Sequence, residues 1–378
     1  MTLLQVTMYF FLGRFLEYKE LGIYAIFQLV FRLAVALFEP GMYVAVIQKH
    51  ELSSKVFQML GRIQNWLALA GTVILLLFFL LEGNYYRENP YIVLLSLFLF
   101  TMIAFGSRYP ALLTRSFQQR VISLSQIVSS SFEFLCVLIF IWHFDPVFIF
   151  ALAFCLRFLV FYLLCFYFSE NYSISNREDV EDKKSLRYAS YQVLNQGVSF
   201  VQGNFDSVLV TAIFGLRMLG PYNFASEISY LLFSKINPIF NKASFPVLAR
   251  HKDEPILRQQ LVSGTLLSHA LITLSFYVLL YFNLDLIVPL VFKDPEGLIL
   301  QFSKFICVMA MIRSVNNIVF SQLLALGESA YLLRWNLAVL FFNYLFIAVI
   351  YFLKADINQF LIINIFVSFS VLLISLKK

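Results

Sequence analysis

The chain has 378 residues, of which 60% are hydrophobic and 18% aromatic, while only 13% are charged. Soluble domains carry about 25% charged residues, so this composition, with a mean hydropathy of +0.79, excludes a soluble globular protein and marks an integral membrane protein. The net charge of +6 comes from bases scattered through short loops and single intramembrane positions. It makes no contiguous basic face, which argues against nucleic acid as a partner.

Crossing a bilayer takes about 20 apolar residues. That rule predicts helices near 1–16, 22–47, 63–81, 91–107, 121–142 and 146–168, then near 188–214, 219–248, 259–282, 298–326, 330–353 and 356–376. The first is short: thirteen residues precede Arg14. They rise about 20 Å against a core of roughly 30 Å, which suggests a start downstream of the true one or a shortened copy. No basic n-region or small-residue cleavage site precedes the first loop, which argues against a signal peptide. Between the two sets, Ser169 to Arg187 packs nine charges into SENYSISNREDVEDKKSLR and is expected to stay in water. The expected fold is therefore all-α: a polytopic membrane protein of about twelve transmembrane helices in two six-helix bundles, 1–168 and 188–378, joined by a linker, 169–187.

Cytoplasmic loops hold the excess of Lys and Arg. The connections after even-numbered helices, with the C-terminus, hold sixteen of these bases and the opposite set six. Both termini are thus expected in the cytoplasm, and the protein in the cytoplasmic membrane. The halves also repeat at an offset of 198 residues: Leu21-Gly22-Ile23-Tyr24 answers Leu219-Gly220-Pro221-Tyr222, Lys19 answers Arg217, and Pro40 answers Pro238. An offset of six helices preserves orientation, so the copies are expected to be related by a pseudo-two-fold axis along the membrane normal.

Ten ionisable side chains fall inside the predicted spans: Arg32, Glu39, Glu133, Arg157, Asp206, Glu227, Lys235, Lys242, Lys304 and Arg313. A charge at a lipid-facing helix centre costs about 2.5–3.5 kcal/mol on insertion scales, so each is expected to face protein or water. The polar residues follow helical spacing. Gln28, Arg32 and Glu39 share a face of the second helix, and Gln192, Asn195, Gln196, Ser199, Gly203 and Asp206 a face of the seventh. In the eighth, Glu227, Ser234, Asn237 and Asn241 do the same, with Lys235 and Lys242 beside them. The fifth adds Gln126, Ser129, Ser130 and Glu133, and the tenth Arg313, Asn316 and Asn317.

Hydrogen bonds between helices are an ordinary use of such groups, and that reading suits Gln126, Ser129 and Ser130. Full charges such as Arg32, Asp206 and Lys235 are by default functional. Arg157 fits a cavity and a structural role equally, Arg32 and Glu39 are placed to pair, and Lys242, Lys304 and Arg313 lie near enough to an interface to snorkel. Six bases against four acids make a shared hydrated cavity net positive and suited to a phosphate or diphosphate. The candidate substrate contacts are Arg32, Lys235, Arg157, Lys242, Arg313, Gln28, Asn195 and Gln196; Asp206, Glu227 and Glu39 are candidates for ion coupling or for orienting the bases.

No Walker A sequence, paired metal-binding histidines or Gly-x-Ser-x-Gly elbow occurs, so no catalytic, metal or cofactor site is expected and the chain does not read as an enzyme. Cys136, Cys155, Cys165 and Cys307 lack paired spacing. His269, inside the ninth helix, reads as a packing residue, while His50, His143 and His251 fall at helix ends or in loops.

The stretch FFLGRFLEYKELGIYAIF resembles the junction of the first two helices in polysaccharide-export flippases of the multidrug/oligosaccharidyl-lipid/polysaccharide superfamily. QGNFDSVLVTAIFGLRMLGPYNFA, from Gln202 to Ala225, is similar to that family's seventh helix, with an Asn-x-Asp before the apolar run. FPVLARHKDEP and ALLTRSFQQR resemble its eighth-helix exit and its connection between helices four and five. The resemblance implies a cationic central cavity between two bundles, with Asp206 on its wall. It also implies translocation of polyprenyl-diphosphate-linked oligosaccharide from the cytoplasmic to the outer leaflet, for surface polysaccharide (O-antigen) biosynthesis. The implied partners are that lipid-linked glycan and the bilayer, with a polysaccharide polymerase and glycosyltransferases beyond them. Many relatives carry two more helices at the C-terminus. A cation-coupled drug exporter of the same superfamily should instead have an acidic cavity. A membrane glycan polymerase or ligase should have a long outer loop, whereas the longest one expected, Asn283 to Gly297, offers Asp285, Lys293, Asp294 and Glu296.

Overall fold

Hydrocarbon offers no hydrogen-bond partner, so a lone apolar segment crosses it as a helix that satisfies its own backbone. The computed structural model describes residues 3–47, 54–81, 89–169, 203–251, 254–326 and 356–376, with isolated positions between them, and all regular structure among the described residues is helical. In chain order the helices are α1 (Leu3–Phe15), α2 (Tyr18–Ile47), α3 (Ser54–Leu81), α4 (Pro90–Gly106), α5 (Arg108–Arg115), α6 (Gln119–Phe140) and α7 (Pro146–Ser169). After the short apolar α8 (Gly203–Phe214) come α9 (Leu216–Arg250), α10 (Pro255–Val291), α11 (Leu298–Ala325) and α12 (Ile357–Leu376). Eight membrane-length apolar spans lie among the described residues, and the protein is an all-α polytopic membrane protein. The linker expected at 169–187, apart from Ser169, the first half of the seventh helix and the eleventh helix near 330–353 lie outside the described residues.

The chain forms two compact units, Met1–Asp206 and Ser207–Lys378. In the first, α7 packs against α2, α4, α5 and α6, while α3 lies on α4 and α1 on α6. Aromatic edges fill these seams: Phe154 of α7 meets Phe27 at 5.7 Å and Phe31 at 4.9 Å between centroids. Two close approaches need glycine. A methyl on Gly71 of α3 would come within 2.6 Å of the Phe100 ring, and one on Gly106 of α4 would overlap the buried ring of Tyr162. α4 breaks at Ser107 and resumes as α5 because Pro110 has no N–H to give the Gly106 carbonyl. The expected loop there is in part a helix, with Pro110, Ala111, Leu112 and Leu113 buried.

In the second unit α11 is the hub, packing against α9, α10 and α12. Polar groups pin these seams: Tyr277 of α10 donates to the Ser229 carbonyl of α9 at 3.2 Å, and Ser229 Oγ donates to the Ser303 carbonyl of α11 at 3.3 Å. α10 runs to Val291, so most of the outer loop expected from Asn283 to Gly297 is helix. Asn283 satisfies itself on the Leu279 carbonyl at 2.7 Å, and Asp285 meets Lys304 of α11 at 2.8 Å; residues that look like a loop in sequence are thus accommodated in a helix.

The 198-residue repeat has a structural trace inside each unit. α2 begins at Tyr18 and α9 at Leu216, the same offset, and Leu21, Tyr24, Leu219 and Tyr222 are all buried. Tyr24 meets Phe150 near the start of α7 at 6.3 Å, and Tyr222 meets Phe360 near the start of α12 at 6.4 Å. Both of those helices are capped by an aspartate. Asp145 accepts from the Phe148 N–H at 2.9 Å, and Asp356 from the Gln359 N–H at 2.8 Å, each satisfying an orphan donor of the first turn.

Because the Tyr162 ring must move to admit a methyl, Gly106→Ala should destabilise the N-terminal unit by about 1–3 kcal/mol. A thermal melt of the purified protein in detergent should show the drop, and an unchanged melting temperature would contradict this packing.

Candidate functional site

Helical spacing puts Gln28 and Arg32 one turn apart on α2. Gln28 is buried and Arg32 half-buried. Arg32 Nη1 donates over 3.5 Å to Asn204 Oδ1 on α8, within the first unit. The Asn204 amide is oriented from behind, since its Nδ2 donates to the Phe200 carbonyl at 3.0 Å, which leaves the oxygen for the guanidinium. An asparagine orients an arginine without adding negative charge. Asn204 is the first residue of the Asn-x-Asp motif, whose Asp206 is half-buried, as is Glu39 further along α2.

A second charged group of this unit is a couple. Arg157 Nη1 of α7 donates to Glu133 Oε2 of α6 at 3.0 Å, with side chains 17% and 4% exposed. The guanidinium lies over Phe158 at 5.3 Å and Phe154 at 5.9 Å. On α6, Ser129 and Ser130 are buried, and Ser129 Oγ donates to the Gln126 carbonyl of its own helix at 3.1 Å.

In the second unit Lys235 of α9 is exposed and Glu227 half-buried. The stripe read on this helix divides. Ser234 is exposed, but Asn237 is 2% exposed and is taken up by neighbouring helices. Asn237 Nδ2 donates to the Ser314 carbonyl at 3.3 Å, while its Oδ1 accepts from Ser314 Oγ at 2.6 Å and lies 3.0 Å from His269 Nε2. Asn241 donates to Asn317 Oδ1 at 3.3 Å. Both asparagines thus bond to neighbouring helices within the unit, Asn237 buried there and Asn241 half-buried. His269 is buried at this junction, in keeping with the packing role read from the sequence, and Thr273 also lies 3.3 Å from its Nε2. Spacing along one helix shows a polar face but not what meets it.

Arg313 of α11 donates to Ser368 Oγ of α12 at 3.2 Å and to the Tyr230 hydroxyl of α9 at 2.9 Å. Lys304 pairs with Asp285, and Arg217 with Glu296 at the ends of α9 and α11. The sequence reading missed Asn204, Tyr230, Ser368 and Asp285 as partners. Only Asn204 carried a signal, its place in the quoted motif. Asn195, Gln196 and the Lys242 side chain lie outside the described residues.

With the Arg157–Glu133 and Lys304–Asp285 couples set aside, four bases (Arg32, Lys235, Lys242, Arg313) and three acids (Glu39, Asp206, Glu227) of the ten remain. The surplus of positive charge is narrower than the sequence count. All four cysteines are free thiols.

Membrane-length apolar helices define a polytopic all-α membrane protein. The chain belongs to the polysaccharide biosynthesis protein family, whose model matches residues 11–294. It is 24% identical over 352 residues to the lipopolysaccharide biosynthesis protein WzxC of Escherichia coli K12, covering 90% of this chain and 69% of that one. It is 22% identical over 351 residues to the teichuronic acid biosynthesis protein TuaB of Bacillus subtilis 168, covering 90% and 71%. Among solved structures, an inward-facing multidrug resistance MATE-family transporter of the MOP superfamily superposes with a TM-score of 0.71 at 14% identity, covering 99% of this chain and 92% of that one. The lipid II flippase MurJ, inward closed, superposes with a TM-score of 0.53 at 12% identity, covering 98% and 95%. At these identities the structural likeness establishes the fold alone.

Removing one partner of a buried ion pair strands the other charge, so Arg157→Ala should cost about 3 kcal/mol. The double variant Glu133→Gln with Arg157→Gln should recover most of that loss. Thermal melts of the three proteins check it; a double variant as unstable as Arg157→Ala would contradict the couple.

Proposed function

We propose that this protein is a flippase that carries polyprenyl-diphosphate-linked oligosaccharide repeat units across the cytoplasmic membrane by alternating access, for surface polysaccharide biosynthesis. The observation that carries the reading is membership of the polysaccharide biosynthesis family in a chain that holds Arg32 inside a membrane-length apolar span and Lys235 exposed on the long helix α9. The names of WzxC and TuaB favour a lipid-linked glycan over a drug.

In this reading Arg32 and Lys235 engage the diphosphate. A guanidinium gives two parallel charge-assisted hydrogen bonds to phosphate oxygens, and a lysine gives a point charge. Gln28 and Arg313 extend the polar contact, with Lys242, Asn195 and Gln196 as further candidates. The sugars enter water while the polyprenyl tail stays in the bilayer. Arg157 serves the fold through Glu133. Asp206, Glu227 and Glu39 orient the bases or answer a coupling ion. A polysaccharide polymerase and glycosyltransferases are the expected partners.

Deleting the gene should abolish export of the surface glycan and leave lipid-linked repeat units on the cytoplasmic leaflet. Arg32→Ala and Lys235→Ala should each cut transport about tenfold or more, as loss of about 1.4 kcal/mol of substrate interaction would. Normal surface glycan in the deletion strain, or full rescue by both variants, would end this reading. With both termini in the cytoplasm, a fluorescent protein fused to the C-terminus should glow and an alkaline phosphatase fused there should stay inactive.

A further inference from the structure

On α9 an exposed lysine and a buried asparagine stand two residues apart. Such residues point about 200° away from each other around a helix, so whatever holds Asn237 inward holds Lys235 outward. The next residue, Pro238, has no N–H for the Ser234 carbonyl and its ring presses on that carbonyl, so the helix is free to bend at this point. Here three helices converge on one side chain. Ser314 of α11 engages both ends of the Asn237 amide, and His269 of α10 meets its oxygen. Thr273 and the edge-on ring of Phe240, 4.9 Å from the imidazole, hold His269 in turn. His269 and Ser314 are both 0% exposed. With its Nε2 carrying the proton, His269 donates to Asn237 Oδ1, and an apolar residue at 237 would leave that donor and the Ser314 hydroxyl to find new partners.

We infer that Asn237, clamped by His269 and Ser314, is a positioning residue that fixes the rotation of α9 beside Pro238 and so the direction in which Lys235 is presented to the substrate. The functional half of this inference rests on the proposed contact between Lys235 and an anionic headgroup; the positional half does not. In Lys235→Cys protein in native membranes, a water-soluble maleimide should label position 235, read from the labelled peptide. Adding Asn237→Leu or His269→Leu should change that rate by about threefold or more, while His269→Gln, which keeps an N–H near the Nε2 position, should stay close to the starting rate.

The transport test uses a fluorescent polyprenyl-diphosphate-linked monosaccharide in vesicles containing the full chain. Asn237→Leu should raise KM about threefold or more with kcat within about twofold, and in the Lys235→Ala background it should leave KM unchanged. Equal rises in KM in both backgrounds, or labelling rates indifferent to Asn237→Leu, would overturn the inference. Native transport by Lys235→Ala alone would instead overturn the substrate contact, leaving the labelling result to decide the clamp.

Discussion

A polar group in a lipid bilayer must find a partner inside the protein or reach water, because lipid tails supply none. The rest of this structure follows from how each group meets that demand. Glu133 and Arg157 meet it with each other, Arg313 with a tyrosine and a serine on two neighbouring helices, and Asn237 with a histidine and a serine. Lys235 is the contrasting case, an ammonium left exposed on a helix inside a membrane protein. An unpaired ammonium facing lipid would cost about 2.5–3.5 kcal/mol, which is the ground on which we propose it, and not the couples, as a substrate contact.

The all-helical, apolar character of the chain was legible from hydropathy because span length is set by the bilayer, not by any particular partner. The repeat was legible for a similar reason: Leu21 and Tyr24, like Leu219 and Tyr222, are packing residues, and packing at equivalent places demands similar side chains. Partnership was not legible. Asn237 and Lys235 both sat in or beside one polar stripe, yet one turns into a three-helix junction and the other stays exposed. The difference depends on α10 and α11, which lie tens of residues away in sequence. Asp285 was misread for the same reason. An aspartate near an asparagine suggests a loop until Lys304 is seen to neutralise it on the adjacent helix.

Close packing supplies what hydrophobic burial cannot, since lipid tails are as apolar as a protein core. Gly106 admits the Tyr162 ring and Gly71 the Phe100 ring, and interlocked aromatic edges run along α2 and α7. The tyrosines of the repeat motif do the same at the start of the last helix of each unit, next to a capping aspartate. These contacts belong to the scaffold, and they set the register at which the charged groups are carried.

The repeat has a consequence at one position. Asn237 precedes Pro238, and 198 residues earlier Glu39 precedes Pro40. One copy of this helix thus places a neutral amide before its proline, gripped from two sides, and the other places an acid there. Two halves built on one template thus differ in chemistry beside a shared proline, so they are not interchangeable pieces: the C-terminal copy carries an amide held by uncharged hydrogen bonds, and the N-terminal copy carries an ionisable side chain.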